Sequence, residues 1–187
     1  IDIRSDPIQR IHPEGIETSS RMIELDDLVL ATGYDAVTGA ILRIDVEGRK
    51  GQKLSDTWRA GPRSYLGLMI AGYPNFFTVT GPGSPSILTN VVVSIEQHVE
   101  WISRCIEDMQ KNDEHLIEPT AQSEEDWVTH VREVAEKTLF VKTASWYMGA
   151  NIPGKPKVFL PFVGGFQNYR AICEDVVAEN YRGFRRA

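Results

Sequence analysis

The stretch from Val91 to Met109 constrains this chain more than any other. Val91, Val92, Ile95, Val99, Ile102, Ile106 and Met109 recur at steps of three and four, so on a helix they share one side. Glu96, Glu100, Arg104, Asp108 and Lys111 take the opposite side, and Asn112-Asp113 ends the run. The pattern predicts a long amphipathic helix whose aliphatic side needs a partner. Just before it stands GPGSPS, Gly81 to Ser86, and before that the apolar PNFFTVT, Pro74 to Thr80. The order reads as buried strand, glycine–proline turn, helix.

The other segments are read in the same way. Ile8–Ile11 and Gly15–Thr18 flank the turn sequence His12-Pro-Glu-Gly15, which predicts a β-hairpin. Leu28–Ala31 is a continuous apolar run ending at Thr32-Gly33, the pattern of a strand covered on both faces. Ile41–Val46 alternates and reads as a half-exposed strand. Ser123-Glu-Glu-Asp126 has the form of a capping box and predicts the start of a second helix, with Trp127, Val131, Val134 and Leu139 along it. Lys157–Val163 contains Pro161 and reads as an edge strand. A last helix is expected from Asn168 to Asn180, with Tyr169, Ile172, Val176 and Val177 inward. Strands alternating with helices favour an α/β layer architecture. Two covered strands are few for a parallel sheet, so the missing ones are expected from elsewhere. The opening IDIRSDPIQ reads as a strand already under way, which suggests a fragment whose beginning lies upstream.

Composition removes several classes of function. A net charge of −6 argues against nucleic acid and anionic membranes as partners, since both select a basic face. No run of about 18 apolar residues is present, so no membrane span is expected. Arg59, Arg63, Arg182, Arg185 and Arg186 form no compact basic run and are read as solvated, and Glu124-Glu125-Asp126 as a dipole-favoured helix start. Cys105 and Cys173 both fall in helical patterns and read as reduced packing residues. The four histidines share no ligand-like spacing, so no metal is expected. No Ser, His and Asp can be placed together, and no hydrolase is inferred.

Three stretches carry more than scaffold. GPGSPS nearly matches a dinucleotide-binding glycine motif, but its two prolines remove N–H donors and stiffen the turn. It is either a plain strand-to-helix turn, with Ser86 or Thr89 as cap, or a helix start aimed at a partly anionic group. Gly33 is either a simple turn residue or a point of close approach to a ligand or second domain. ASWYMGANIPGKP, Ala144 to Pro156, holds Trp146 and Tyr147 among glycines and prolines. Those rings either pack on a neighbouring helix or form a lid over a flat ring.

Taken together, the chain resembles the flavin-dependent Baeyer–Villiger monooxygenases. The resemblance rests on DDLVLATGYDAVTGA (Asp26–Ala40), AGPRSYLGL (Ala60–Leu68), GYPNFFTVTGPGSPSILTN (Gly72–Asn90), SIEQHVEWI (Ser94–Ile102), SWYMGANIPGKP (Ser145–Pro156) and GGFQNYR (Gly164–Arg170). It extends over essentially the whole chain. The ATG element is common to many flavoproteins, whereas SIEQHVEWI together with GANIPGK is specific.

The resemblance implies the C-terminal portion of a larger cytoplasmic enzyme. Residues 1–27 would be the end of an NADPH-binding domain with its returning hairpin, and 28–187 the C-terminal half of a Rossmann-like FAD-binding domain. The family's glycine motifs for FAD and NADPH, its signature motif and its catalytic arginine have no counterpart here, so no catalytic residue is carried over. Binding roles are. Gly33, Asp35, Asn90, Val91 and Trp146 are implied for cofactor contact, Trp146 on the loop that meets NADP. Ser86, Ile87, Leu88 and Thr89 are implied for the ketone pocket. Where many relatives have Met beside the flavin, this chain has Val91. The implied chemistry is reduction of FAD by NADPH and insertion of one oxygen atom from O2 beside a ketone carbonyl. Two alternatives differ from it: a stand-alone binding domain without redox activity, and a relative that oxidises nitrogen or sulfur.

Overall fold

The computed structural model describes residues 2–31, 33–85, 89–143 and 145–187. It is a mixed α/β structure that divides into two compact units, Ile1–Gly33 and Tyr34–Ala187.

The first unit is a three-stranded antiparallel sheet of β1 (Ile8–His12), β2 (Gly15–Thr18) and β3 (Met22–Glu24). The hairpin expected from His12-Pro-Glu-Gly15 is present, in the register Ile11 to Ile16, and β3 extends it. Gly15 is required here. A Cβ at this position would stand 2.0 Å from the Ile23 carbonyl oxygen. The Asp6 carboxylate ties the return by accepting from the Thr18 hydroxyl (2.9 Å) and from the Ser20 N–H (3.0 Å) and hydroxyl (2.7 Å). The expected strand Leu28–Ala31 does not form, and Val29 is 85 % exposed. A doubly covered strand needs a neighbour on each side, and no strand among the described residues pairs with this one.

The second unit packs three helices around an aromatic core. They are α2 (Val91–Lys111), α3 (Ala121–Glu136) and α4 (Phe166–Ala178); a short helix α1 (Leu54–Thr57) precedes them. Trp101, Cys105, Trp127, Phe162, Tyr169, Cys173 and Val176 form the centre of the core. Leu54, Trp58, Ile70 and Tyr73 make a smaller second cluster. Strands β4 (Ile117–Pro119) and β5 (Phe184–Arg186) pair antiparallel. Glu118 of β4 is buried, and its charge is balanced by Arg49 (2.9 Å) and Arg185 (3.3 Å). Arg186 is also largely buried, against Asp108 and Glu114, and Arg63 binds Glu124 and Glu125. Arg63 and Arg186 are therefore partly or largely buried ion-pair partners, not the solvated side chains that their scattered positions suggested, whereas Arg59, Arg182 and Arg185 stay largely exposed while pairing with Asp56, Glu179 and Glu118.

Helix α2 forms as expected but turns a different side inward. Ser94, Gln97, His98, Trp101, Cys105 and Met109 are buried, while Val91, Val92, Ile95, Val99 and Ile106 are exposed. Periodicity finds a stripe but not its partner. Here the bulky Trp101 takes the core, its N–H donating to the Cys173 carbonyl (3.3 Å).

Other expectations are corrected too. Ile41–Arg43 is a 3-10 turn and not part of a strand, because Ile41, Leu42 and Val46 all pack on the second cluster. Pro74–Thr80 is no strand either: Asn75 (φ 58°) and Thr80 (φ 53°) are left-handed, which breaks extended pairing and leaves one bridge, Phe77 to Met69. Helix α3 starts three residues early, because the Thr120 hydroxyl caps the Ser123 N–H (3.1 Å). Lys157–Val163 forms no strand, although Phe162 N–H does reach the Ser84 carbonyl (2.9 Å).

Candidate functional site

A cleft of about 470 Å³ opens in the second unit, between the Gly81 turn, the start of α2 and the aromatic loop. Its walls include Tyr34, Val37, Trp58, Thr80, Val91 and Trp146.

The turn fills the floor because its backbone is in contact with a second turn. A Cβ at Gly81 would come within 2.5 Å of the Gly67 carbonyl oxygen and 2.6 Å of the Thr78 hydroxyl. Its donors are spent internally. Gly81 N–H goes to Gly67 (3.2 Å), Gly83 N–H to Leu160 (2.7 Å) and Ser84 N–H to Gly81 (3.1 Å). A phosphate cradle needs such N–H groups free. This turn has none to offer at those positions, which argues against the dinucleotide-motif reading over residues 81–84; Ser86 lies outside the described residues.

Donors without an acceptor among the described residues lie at the helix start. The Asn90 side chain caps Val92 N–H at 3.0 Å. Among the described residues, the N–H groups of Val91 and Val93 have no acceptor. Helix N-termini concentrate partial positive charge, and Val91 borders the cleft. An electron-rich edge placed there would be stabilised.

The loop supplies the opposite wall. The Trp146 ring lies against Tyr147, centroids 4.3 Å apart and tilted 31°, and Tyr147 meets Phe140 edge-on at 5.9 Å. Trp146 keeps 37 % of its surface exposed, so part of the indole stays free on the cleft side. Two bonds latch the loop to the segment after Gly33. The Asn151 amide donates to the Tyr34 carbonyl (3.2 Å), and the Lys155 ammonium pairs with the Asp35 carboxylate.

A buried relay runs beneath the floor. His98 is fully buried, and its Nδ1 accepts the Thr80 N–H at 2.8 Å. Nε2 must then carry the proton and donate to the Tyr169 hydroxyl (2.8 Å), which donates to the Leu66 carbonyl (2.7 Å). Burial pushes the His98 imidazole down to about 4, so it is neutral at physiological pH. Burial also pushes the Cys105 thiol up to about 11 and the Cys173 thiol up to about 12, which makes neither a nucleophile.

The structure brings Val91 and Trp146 to one cleft, with Asn90 as the adjacent helix cap. Asp35 is half-buried and engaged by Lys155, in a smaller pocket that also touches Gly154. Gly33 ends the first unit with φ 74° and is exposed. Thr89 is half-buried; Ser86, Ile87 and Leu88 lie outside the described residues. Sequence reasoning missed Thr80, His98, Tyr169 and Lys155. Opposite charges in two glycine-bearing loops, Asp35 and Lys155, were an available signal; the relay had none, since His98 and Tyr169 are 71 positions apart.

No family model matches the chain. It is 45 % identical over 184 residues to the acetone monooxygenase (methyl acetate-forming) of Gordonia sp. strain TY-5, covering 97 % of this chain and 34 % of that protein. It is 42 % identical over 186 residues to a Baeyer–Villiger monooxygenase of Pseudooceanicola batsensis, with 99 % of this chain and 34 % of that protein covered. The structure superposes on cyclohexanone monooxygenase from Rhodococcus sp. Phi1 bound to NADP+ with a TM-score of 0.92 at 43 % identity, over 100 % of this chain and 35 % of that one. On OTEMO complexed with FAD and NADP the TM-score is 0.91 at 40 % identity, over 100 % and 34 %. This chain is homologous to one third of a Baeyer–Villiger monooxygenase.

The chain thus spans about a third of the length of the relatives it matches. The stretches on which the resemblance rests fall largely on the parts that build the cleft. Phe77 to Pro82 of GYPNFFTVTGPGSPSILTN line the floor and its Asn90 caps α2, SIEQHVEWI holds His98, and SWYMGANIPGKP carries Trp146 and both latches.

Proposed function

We propose that this chain is the C-terminal portion of an FAD- and NADPH-dependent Baeyer–Villiger monooxygenase. Residues 1–27 are assigned to the end of the NADPH-binding domain, and 28–187 to the C-terminal half of a Rossmann-like FAD-binding domain. The exposed run Leu28–Leu30 supports this, since it has the composition of a covered strand and no strand partner among the described residues. Ketone and O2 are the substrates, and the rest of the polypeptide completes the site. No helix among the described residues is long and apolar enough to cross a membrane.

One observation carries the reading. The start of α2 and the indole of Trp146 border the same cleft. The residues fit a flat, electron-rich ring system: Tyr34, Trp58 and Trp146 are aromatic members of the lining, and Val91 brings the start of α2 to its border. Bound flavin supplies the redox chemistry with NADPH and O2. The chain's own residues bind, orient and exclude water. The helix start at Val91 would stabilise negative charge on a ring edge bound there. Trp146 covers the nicotinamide cofactor, held in place through Tyr147 and the Asn151 and Lys155 latches. Gly33 and Asp35 stand at the crossing between the cofactors. Ser86, Ile87, Leu88 and Thr89 shape the ketone pocket.

The test uses the full-length enzyme. Flavin absorbance in the purified protein, ketone-dependent NADPH oxidation and an ester or lactone product by mass spectrometry are expected. A folded full-length protein lacking both flavin and ketone-dependent NADPH oxidation refutes the proposal.

A further inference from the structure

We infer that His98, backed by Tyr169, is a positioning residue for the flavin: it fixes the Thr80 peptide and, through it, the floor of the cleft. The inference rests on the cofactor reading above and deepens it.

The floor consists of two left-handed turns in contact. One contains Leu66 (φ 60°) and Gly67 (φ 73°), the other Thr80 (φ 53°) and Gly81. Left-handed backbone is strained for a β-branched residue such as threonine and persists only where its surroundings fix it. The bonds between the turns fix positions on either side of Thr80: Thr78 N–H to Leu68 (2.7 Å) and Gly81 N–H to Gly67 (3.2 Å). The Thr80 N–H points instead to His98 Nδ1, at 2.8 Å. The same imidazole reaches the first turn through Tyr169 and the Leu66 carbonyl. One buried ring therefore ties both turns from below.

His98 also lies seven residues after Val91 on α2, about 10 Å along the helix. The ring that orients the floor is thus built into the helix whose first residue, Val91, borders the cleft. Floor and donors are held in one register. The relay is directional, because the Thr80 N–H forces Nδ1 to accept, Nε2 then donates, and the tyrosine hydroxyl passes its own proton to Leu66. Reversing any bond would set donor against donor.

The two amide replacements separate this role from packing. His98→Asn puts an acceptor oxygen near the place of Nδ1 and keeps the Thr80 N–H satisfied. His98→Gln extends its amide toward Tyr169 and leaves that N–H without an acceptor. In the full-length enzyme, FAD reconstitution titrations are expected to give a dissociation constant within about threefold of wild type for His98→Asn. A weakening of about tenfold or more is expected for His98→Gln. Melting temperatures of the apoproteins report packing separately. Equal losses in the two variants, or losses that simply follow melting temperature, overturn the inference. If His98→Gln does not fold, Tyr169→Phe serves: it removes only the relay hydroxyl, and an intermediate loss of FAD affinity is expected, whereas none overturns the role. Should wild type bind no FAD, the cofactor reading fails by itself. Hydrogen exchange of the Thr80–Gly81 amides then judges His98 alone, with faster exchange expected in His98→Gln than in His98→Asn and equal rates refuting it.

Discussion

Acidification tests the neutrality of His98. The ring is fully buried, and desolvation is the cause that moves it from an ordinary value near 6.5 down to about 4. The unfolded chain therefore takes up a proton before the folded one does. Stability from this residue is complete above about pH 6.5 and is lost as pH falls toward 4. At about 1.4 kcal/mol per pH unit, the loss comes to about 2 kcal/mol at pH 5 and about 3 kcal/mol at pH 4. Carboxylates titrate over part of the same range, so the quantity to measure is a difference. Urea unfolding of wild type and His98→Asn, followed by tryptophan fluorescence at pH 7, 6, 5 and 4, gives a stability gap at each pH. The gap is expected to narrow by about 3 kcal/mol in favour of the variant from the top of this range to the bottom. A gap constant to within about 0.5 kcal/mol, or a folded-state imidazole resonance titrating near 6.5, refutes the reasoning.

Three further outcomes are expected. Glu124→Gln removes the buried charge that accepts from Ala71 N–H (2.9 Å) and Arg63 (3.3 Å); it should cost about 1–3 kcal/mol in denaturant unfolding, with Arg63→Met costing no more than that. Lys155→Met breaks the pair with Asp35 and should speed proteolytic cleavage within Ser145–Pro156 severalfold, with little change in melting temperature. Trp146→Ala removes the free indole face and should weaken NADP+ binding about tenfold in the full-length enzyme, while FAD content stays near wild type.

What could be read from the sequence was local. The hairpin at His12–Gly15 and the helices α2 and α4 follow from turn chemistry and periodicity, which act over a few residues. The strand readings at Leu28–Ala31 and Pro74–Thr80 did not hold, because apolar runs show only a demand for burial. Pairing depends on neighbours, and left-handed Asn75 and Thr80 cannot be read from residue type. Helix α2 has two adjacent periodic faces, one aliphatic and one carrying His98, Trp101 and Cys105. What packs there decides which turns inward: His98 and Trp101 meet Tyr169 and Cys173 of α4, and Trp101 also meets Tyr181 and Phe184. The Ser123 capping box lost to Thr120 for a similar reason, since both hydroxyls stand within one turn and bond each other at 2.8 Å. At the candidate site, Val91 and Trp146 were named from resemblance alone, and both line one cleft. The His98 relay joins positions 18, 71 and 103 apart in sequence, and no local pattern encodes that.

The outward aliphatic side of α2 governs how these residues behave in a tube. Val92, Ile95, Val99 and Ile106 line a rod about 30 Å long, enough greasy surface to stick to another copy or to a reporter dye. Produced alone, the 187 residues should sediment faster as they are concentrated and brighten an apolar fluorophore. Replacing Val99 and Ile106 with glutamate should suppress both effects while leaving the helical circular dichroism intact.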